Sequence, residues 1–103
     1  IFESYPGCRN DKAMTDLHRR AAGEILGAEQ VWELPEPSMG TDDFGYFSDA
    51  APGCYYYVGV GNEEKGFTSP NHNPHFAADP AALPLAAAVH VRTVLDFLGG
   101  DGV

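Results

Sequence analysis

The sequence predicts an α/β fold, because helical and strand-like segments alternate along its 103 residues. The predicted order is helix, strand, short helix, strand, loop and helix. The clearest strand, at residues 54–60, is rich in strand-forming residues and apolar on both faces, as a central strand covered by helices would be. Two short strands cannot bury both of their faces, so the sheet is expected to take further strands from sequence outside this chain or from another chain.

The N-terminal third begins with a short strand-like segment and continues as a helix. Residues 1–6 end in the turn signal Pro6-Gly7, which predicts the tail of a strand whose partners lie elsewhere. Asn10 or Asp11 can cap the helix that follows, and Gly27 ends it. Its apolar residues share one stripe, which predicts an amphipathic surface helix: Met14, Leu17, Ala21 and Ile25. His18 is expected to face solvent.

Two short elements follow this helix. Residues 31–34 predict a strand that Pro35 and Pro37 stop. Residues 38–47 form a glycine-hinged loop, in which Thr41 is a candidate N-cap followed by two acidic residues. A short helix is therefore expected to begin here, with both acids in its first turn.

A long polar loop and a helix complete the chain. Residues 61–78 are about as long as a loop becomes in a compact domain without being functional or disordered. Asp79 and Pro80 can cap and open a helix, and Pro84 lies early in it or restarts it. Residues 85–98, which Gly99-Gly100 stops, are apolar almost all round and predict a largely buried helix. His90 is expected to be a core or helix-packing histidine with a satisfied hydrogen bond.

The charge and the hydropathy of the chain exclude several classes of partner. Fifteen acidic and six basic residues give a formal net charge of −9, which repels the phosphates that a nucleic-acid-binding protein must neutralise. Nucleic acid and anionic membranes are therefore disfavoured. Acidity also suits cation binding, although solubility is its commoner explanation. No apolar run approaches the roughly 20 residues of a membrane helix, so we expect a soluble protein.

The two cysteines indicate the cellular compartment of the protein, and the first residue indicates whether the chain is part of a longer one. Cys8 and Cys54 stand in no Cys-X-X-Cys spacing, which favours a reducing, cytoplasmic location, while a single disulfide between them stays open. The chain starts at Ile1 without an initiator Met or the features of a signal peptide. We therefore expect a fragment of a longer protein.

His72 is the candidate metal ligand. It lies in the loop that follows the predicted buried strand, and α/β folds place ligand sites at the carboxyl ends of their strands. Neutral imidazole is a common metal ligand, and Pro74 could hold the loop in one orientation. Two histidines three residues apart in a polar loop, here His72 and His75, are nevertheless more often plain surface residues.

The acidic pair Asp42 and Asp43 is a second candidate site. These carboxylates could ligate a cation or act as acid and base, but the helix dipole alone also favours acids at a helix start, and this is the default interpretation. Free N–H groups after Gly40 would suit an anion such as a substrate carboxylate. The sequence shows no Ser-His-Asp or Cys-His nucleophilic set, phosphate loop or HExxH motif.

Five motifs, taken in order, resemble a known family. They are PSMGTDDFGYF at residues 37–47, PG at 52–53, VGVG at 58–61, HNPHF at 72–76, and LP at 83–84 before an alanine-rich helix. This series resembles the C-terminal end of the M20 amidohydrolases. The likeness is greatest to the branch with hippurate hydrolases, N-acyl-amino-acid amidohydrolases and indoleacetyl-amino-acid hydrolases.

The resemblance implies a division of the chain. Residues 1–10 would be the last strand of a lid or dimerisation domain with its linker. Residues 11–103 would be the C-terminal part of a three-layer, zinc-exopeptidase-like catalytic domain. The implied partners are the remainder of the same enzyme, a small N-acyl amino acid or peptide-like substrate, and a second copy bound through the lid domain.

The resemblance also implies a chemistry, which is amide hydrolysis by water between two divalent ions, zinc, manganese or cobalt, with a glutamate as general base. His72 matches the last metal-binding histidine of the family. The residues that would line the substrate pocket are Met39, Gly40, Thr41, Asp42 and Phe44. Asp42 stands where relatives usually carry Glu, and His75 stands where they often carry Tyr or another bulky residue, which suggests a structural or pocket-lining role.

Other motifs of the family are absent from these 103 residues. They include its Cys-Gly-His and Glu-Glu motifs and its lid-domain histidine. Since a catalytic zinc usually takes three protein ligands, we expect no catalytic residue in this chain and no activity by itself. The alternative is a free-standing, non-catalytic module that binds a small anionic ligand or a partner chain through an unsatisfied sheet edge.

Overall fold

The computed structural model of the chain describes residues 6–38 and 42–100. These residues form three α-helices, α1 (Lys12–Leu26), α2 (Phe44–Ala50) and α3 (Ala82–Leu98), with a 3-10 helix (Ala28–Gln30) directly after α1. Of the predicted strand tail at residues 1–6, only Pro6 falls within the described residues. No helix in the described ranges is both long enough and apolar enough to cross a membrane.

Helix α1 confirms the predicted N-terminal helix. Its start and its end are both marked by residues next to the helix in sequence. The Asp11 carboxylate accepts a hydrogen bond from the Met14 N–H at 3.0 Å, which satisfies one of the free donors at the helix start. Gly27 ends the helix with φ 92°, a conformation that side chains disfavour. Leu17 and Ala21 are fully buried, whereas Ile25, at the end of the predicted stripe, is 37% exposed.

The core is small and lies between α1 and α3. Leu17, Ala21 and Ala22 of α1 are buried, and they are joined by Val89 of α3. Arg92 of α3 forms ion pairs with Glu24 of α1 and, at 3.0 Å, with Asp96 one turn along. The Arg92 and Glu24 side chains are 42% and 45% exposed, so their pair contributes only about 0–1 kcal/mol. Apolar burial therefore dominates this contact.

His18 faces α3 rather than solvent, so the prediction for its position is wrong. Its Nδ1 lies 3.0 Å from Thr93 Oγ1, and its ring centroid lies 3.8 Å from that of Tyr56. The Thr93 hydroxyl donates to the Val89 carbonyl, so it accepts from His18, which assigns the imidazole hydrogen to Nδ1. His90 is exposed, and its prediction as a core residue is also wrong.

This environment makes stability depend on pH. Burial, and then the nearby His90, lower the pKa of His18 below its ordinary value of 6.5. The folded chain therefore binds fewer protons than the unfolded chain just below that pH. The free energy of unfolding should rise with pH through this window and fall as the solution is acidified.

Urea unfolding of the wild-type chain and of His18→Gln, at pH values from about 5 to about 7.5, measures this dependence. The variant should show the shallower dependence on pH between these values. Equal slopes in the two proteins would contradict the assignment to His18.

The two predicted strands do not form among the described residues. Val31 follows the 3-10 helix, and the Trp32 indole, 81% exposed, donates to the Glu29 carbonyl. Residues 54–60 form no strand, and Tyr57 is 60% exposed rather than buried. A strand requires a neighbour to pair its N–H and C=O groups, and within the described ranges the only ladder contact is the isolated bridge between Asn62 and Phe67. The predicted α/β layering is therefore not formed here.

Helix α3 confirms the predicted C-terminal helix, with Pro84 early in it rather than restarting it, but the helix is far less buried than predicted. The Asp79 carboxylate accepts from the Ala81 N–H, and Pro84 is the third helical residue, where a missing N–H costs no helix bond. The large apolar side chains of α3 that are at least 60% exposed are Leu83, Leu95 and Leu98. The prediction of a largely buried helix is wrong for the described structure, because α1 covers only one side of a helix that is apolar almost all round.

Candidate functional site

The loop at residues 61–78 is irregular, as predicted, and it is closed at its base. The Asp79 N–H donates to the Val60 carbonyl at 2.8 Å, and two backbone hydrogen bonds of 2.9 Å join Asn62 with Phe67. Gly66 lies in the turn between them with φ 77°. The bonds at its base hold the two ends of the loop together.

The Asp79 side chain joins the loop base to the start of α3. It is 13% exposed and accepts from Asn62 Nδ2 at 2.8 Å, from the Ala81 N–H at 3.1 Å and from Lys65 Nζ at 3.5 Å. These contacts, led by the hydrogen bond from Asn62, lower the pKa of Asp79. Its ionised form is therefore the one that holds the loop.

Asp79→Asn should destabilise the chain at neutral pH, because an amide nitrogen replaces one carboxylate oxygen and either the Asn62 amide or the Ala81 N–H loses its acceptor. Since the pKa of Asp79 is lowered, the stability that it contributes is present above its ordinary value of 3.8 and is lost as the pH falls below it. Urea unfolding should show the difference from wild type shrinking in acid. Glu63→Gln, at an exposed carboxylate of the same turn, is the control, and an equal loss in both variants would refute the role of Asp79.

His72 occupies an unusual backbone conformation in the outer part of this loop. Its φ is 60°, in the left-handed region that non-glycine residues seldom adopt, and its side chain is exposed. The turn is built by Asn73, whose side chain accepts from the His75 N–H at 2.8 Å and whose carbonyl accepts from the Phe76 N–H at 2.9 Å. Such strain is found where surrounding structure fixes a residue, often at ligand sites.

The described residues do not form a metal site by themselves. Residues 6–38 and 42–100 contain no group of three or more His, Cys, Asp or Glu side chains placed to hold an ion. A catalytic zinc normally takes three protein ligands. His72 offers one accessible donor nitrogen, and that donor alone does not fit a centre of two ions.

The predicted substrate loop is described only in part. Met39, Gly40 and the candidate N-cap Thr41 lie outside the described residues. Helix α2 begins at Phe44, so Asp42 and Asp43 precede the helix instead of occupying its first turn. The Asp42 Oδ1 accepts from the Phe44 N–H at 2.8 Å. That N–H is thus already paired with a carboxylate of the chain and is not free for a substrate anion.

Tyr55, which was not predicted as a site residue, contacts this loop. Its hydroxyl donates to Asp42 Oδ2 at 3.3 Å, and its ring centroid lies 5.4 Å from that of Phe44. The nearby charge of Asp42 is the main reason that the pKa of Tyr55 is raised above its ordinary value, which further favours the protonated hydroxyl that donates to Asp42. The structure therefore brings Asp42, Phe44 and Tyr55 together, while the hydrogen bonds of the His72 turn remain within that turn.

Two surface clefts are lined by other residues than the predicted site residues. One, of about 380 Å³, is lined by residues 9–11 and 48–53, and another, of about 500 Å³, by residues 61–63 and 67–70. Neither is lined by a predicted site residue, so neither cleft encloses His72 or Asp42.

The order of motifs along the chain also characterises a protein family. Residues 1–96 match the family model described as "Peptidase family M20/M25/M40". The chain belongs to the M20 peptidase family. The predicted resemblance is thereby confirmed. Membership implies the peptidase fold, although the described residues of this M20 chain do not form its layered sheet.

Curated relatives align with most of this M20 chain. IAA-amino acid hydrolase ILR1-like 6 of Arabidopsis thaliana is 33% identical over 94 residues, which cover 91% of this chain and 20% of that protein. Thermostable carboxypeptidase 1 of Saccharolobus solfataricus is 34% identical over 93 residues, which cover 90% of this chain and 23% of that protein. Probable hydrolase sll0100 of Synechocystis is 35% identical over 78 residues, which cover 76% of this chain and 20% of that protein. The M20 chain thus spans about a fifth of the length of these relatives. No solved structure matches it.

Proposed function

We propose that this chain is the C-terminal part of a two-metal hydrolase that cleaves the amide bond of N-acyl amino acids or similar small amides, and that it is inactive by itself. The observation that carries the proposal is the match of residues 1–96 to the M20 family. The names of the quoted relatives, a hydrolase of IAA-amino acids and a carboxypeptidase, support chemistry at a bond to an amino acid.

The open packing of the chain supports its being one part of a larger domain. The Cα radius of gyration is 15.4 Å, whereas a compact domain of this length has one of about 13 Å. Large apolar side chains stand exposed on helices and on irregular chain, including Trp32, Phe47, Tyr57 and Leu95. In the proposed protein, further strands and helices cover these faces.

We assign the site residues within this proposal as follows. His72 supplies one imidazole nitrogen to a metal site whose other ligands lie outside this chain, and its exposure and fixed turn suit that role. The substrate pocket is lined by Met39, Gly40, Thr41, Asp42 and Phe44. Residues 1–10 belong to a lid domain, through which two copies form a homodimer. The free thiols of Cys8 and Cys54 are consistent with a cytoplasmic protein.

The proposal is tested by expressing the complete reading frame that contains this chain and assaying it on N-benzoyl, N-acetyl and indoleacetyl amino acids. Zinc, manganese and cobalt are supplied in turn. We expect hydrolysis that a chelator abolishes and that a metal restores, and none from the 103-residue chain. An inactive complete protein, or an active 103-residue chain, would refute the proposal.

A further inference from the structure

The Asn10 side chain fixes the backbone of Tyr55 to the start of α1. Its Nδ2 donates to the Tyr55 carbonyl at 3.0 Å, and its Oδ1 accepts from the Tyr55 N–H at 2.8 Å, across 45 residues of sequence. The neighbouring Asp11 N–H donates to the Gly53 carbonyl at 2.8 Å. These three bonds hold residues 53–55 much as an adjacent strand would.

The anchor is attached to a regular element. Asp11, which takes part in it through its backbone, also caps α1 through its side chain, and α1 carries the fully buried Leu17. Tyr55, which lies in irregular chain, is therefore attached to the N-terminal end of a helix that packs in the core.

From this anchored backbone, the Tyr55 side chain meets the substrate loop in two ways. Its hydroxyl donates to Asp42 Oδ2 at 3.3 Å, and its ring packs against Phe44 with centroids 5.4 Å apart. The second oxygen of Asp42 accepts from the Phe44 N–H. Both oxygens of one carboxylate are thus held, one by the start of α2 and one by Tyr55.

We propose that Tyr55, anchored by Asn10, is a positioning residue that fixes Asp42 and Phe44 for substrate binding. This rests on the proposed function, since it takes the loop to line the substrate pocket. An ionised carboxylate offers about four acceptor sites, so Asp42 can still accept from a substrate N–H. The negative charge of Asp42 disfavours a substrate carboxylate at the same point. The substrate group that best suits Asp42 is therefore the amide N–H.

Tyr55→Phe tests the inference in the complete protein, because it removes the hydroxyl and keeps the ring. We expect KM for an N-acyl amino acid to rise by about three- to tenfold with kcat within about twofold, because an Asp42 that Tyr55 no longer holds should bind the substrate less well, by about the worth of one hydrogen bond. Asn10→Asp, which loses the donor to the Tyr55 carbonyl, should shift KM in the same direction. Tyr57→Phe is the matched control, since Tyr57 touches Tyr55 only ring to ring at 5.8 Å.

Hydrogen exchange at the Phe44 amide gives a readout that does not depend on activity. It should be faster in Tyr55→Phe than in Tyr57→Phe, because a freed Asp42 releases that N–H. Absence of amidohydrolase activity in the wild-type complete protein would defeat the proposed function, and the exchange rates would still decide the positioning role. Equal exchange in the two variants, or an unchanged KM in an active Tyr55→Phe protein, would overturn the inference.

Discussion

His72→Asn in the complete protein should lower kcat/KM for N-acyl amino acids by more than about 100-fold, since losing a group that merely orients a metal ligand already costs 10–100-fold. Asparagine can coordinate only through a weaker amide oxygen. It also tolerates a left-handed backbone, so the turn with φ 60° at this position should survive the change. The loss should therefore report the imidazole and not the loop.

Steady-state kinetics at saturating metal, together with thermal unfolding, measures this effect. His90→Asn is the control, because His90 is an exposed histidine of α3 with no proposed role. We expect that control to keep activity within about threefold of wild type, and both variants to unfold near the wild-type temperature. Retention of full activity in His72→Asn would exclude His72 as a metal ligand.

Leu17→Ala should destabilise the 103-residue chain by about 2–5 kcal/mol. Leu17 is the one large side chain among the described residues that is fully buried, and it lies in the contact between α1 and α3. Domains of ordinary size are stable by only about 5–15 kcal/mol, so this loss is a large fraction of the total. Urea unfolding followed by far-ultraviolet circular dichroism measures it.

Leu95→Ala is the matched control, since it makes the same chemical change at a side chain that is 61% exposed on α3. In the 103-residue chain it should change stability by less than about 0.5 kcal/mol. In the complete protein, where we propose that this face is covered, it should cost about 2 kcal/mol or more. A neutral effect in both proteins would contradict the proposed covering of α3.

The elements that the sequence predicted correctly are those whose signals are local. Helix α1 follows from the cap at Asp11 and the stop at Gly27, and α3 from Asp79 with the glycines at its end. The strand predictions were wrong because a strand depends on distant sequence: residues 54–60 need pairing partners that the described residues do not provide. His18 was misplaced because its contacts, Tyr56 and Thr93, are distant in sequence.

The candidate site divides in the same way. The resemblance indicated Asp42, Phe44 and His72, because family motifs are local strings. Tyr55 could not be found from such strings, because its bond to Asp42 spans 13 residues and its bonds to Asn10 span 45. The run of three tyrosines at residues 55–57 was the only signal, and a tyrosine run is equally typical of a strand. The left-handed conformation of His72 depends on the Asn73 turn around it.

The metal content of the complete protein tests the central claim most directly. It is measured by mass spectrometry of the purified protein after loading with zinc and removal of excess ions. We expect two ions per wild-type chain and fewer than two in His72→Asn, with the His90→Asn control at the wild-type value. Two ions in both wild type and His72→Asn, or none in wild type, would contradict the claim that His72 completes a two-metal site.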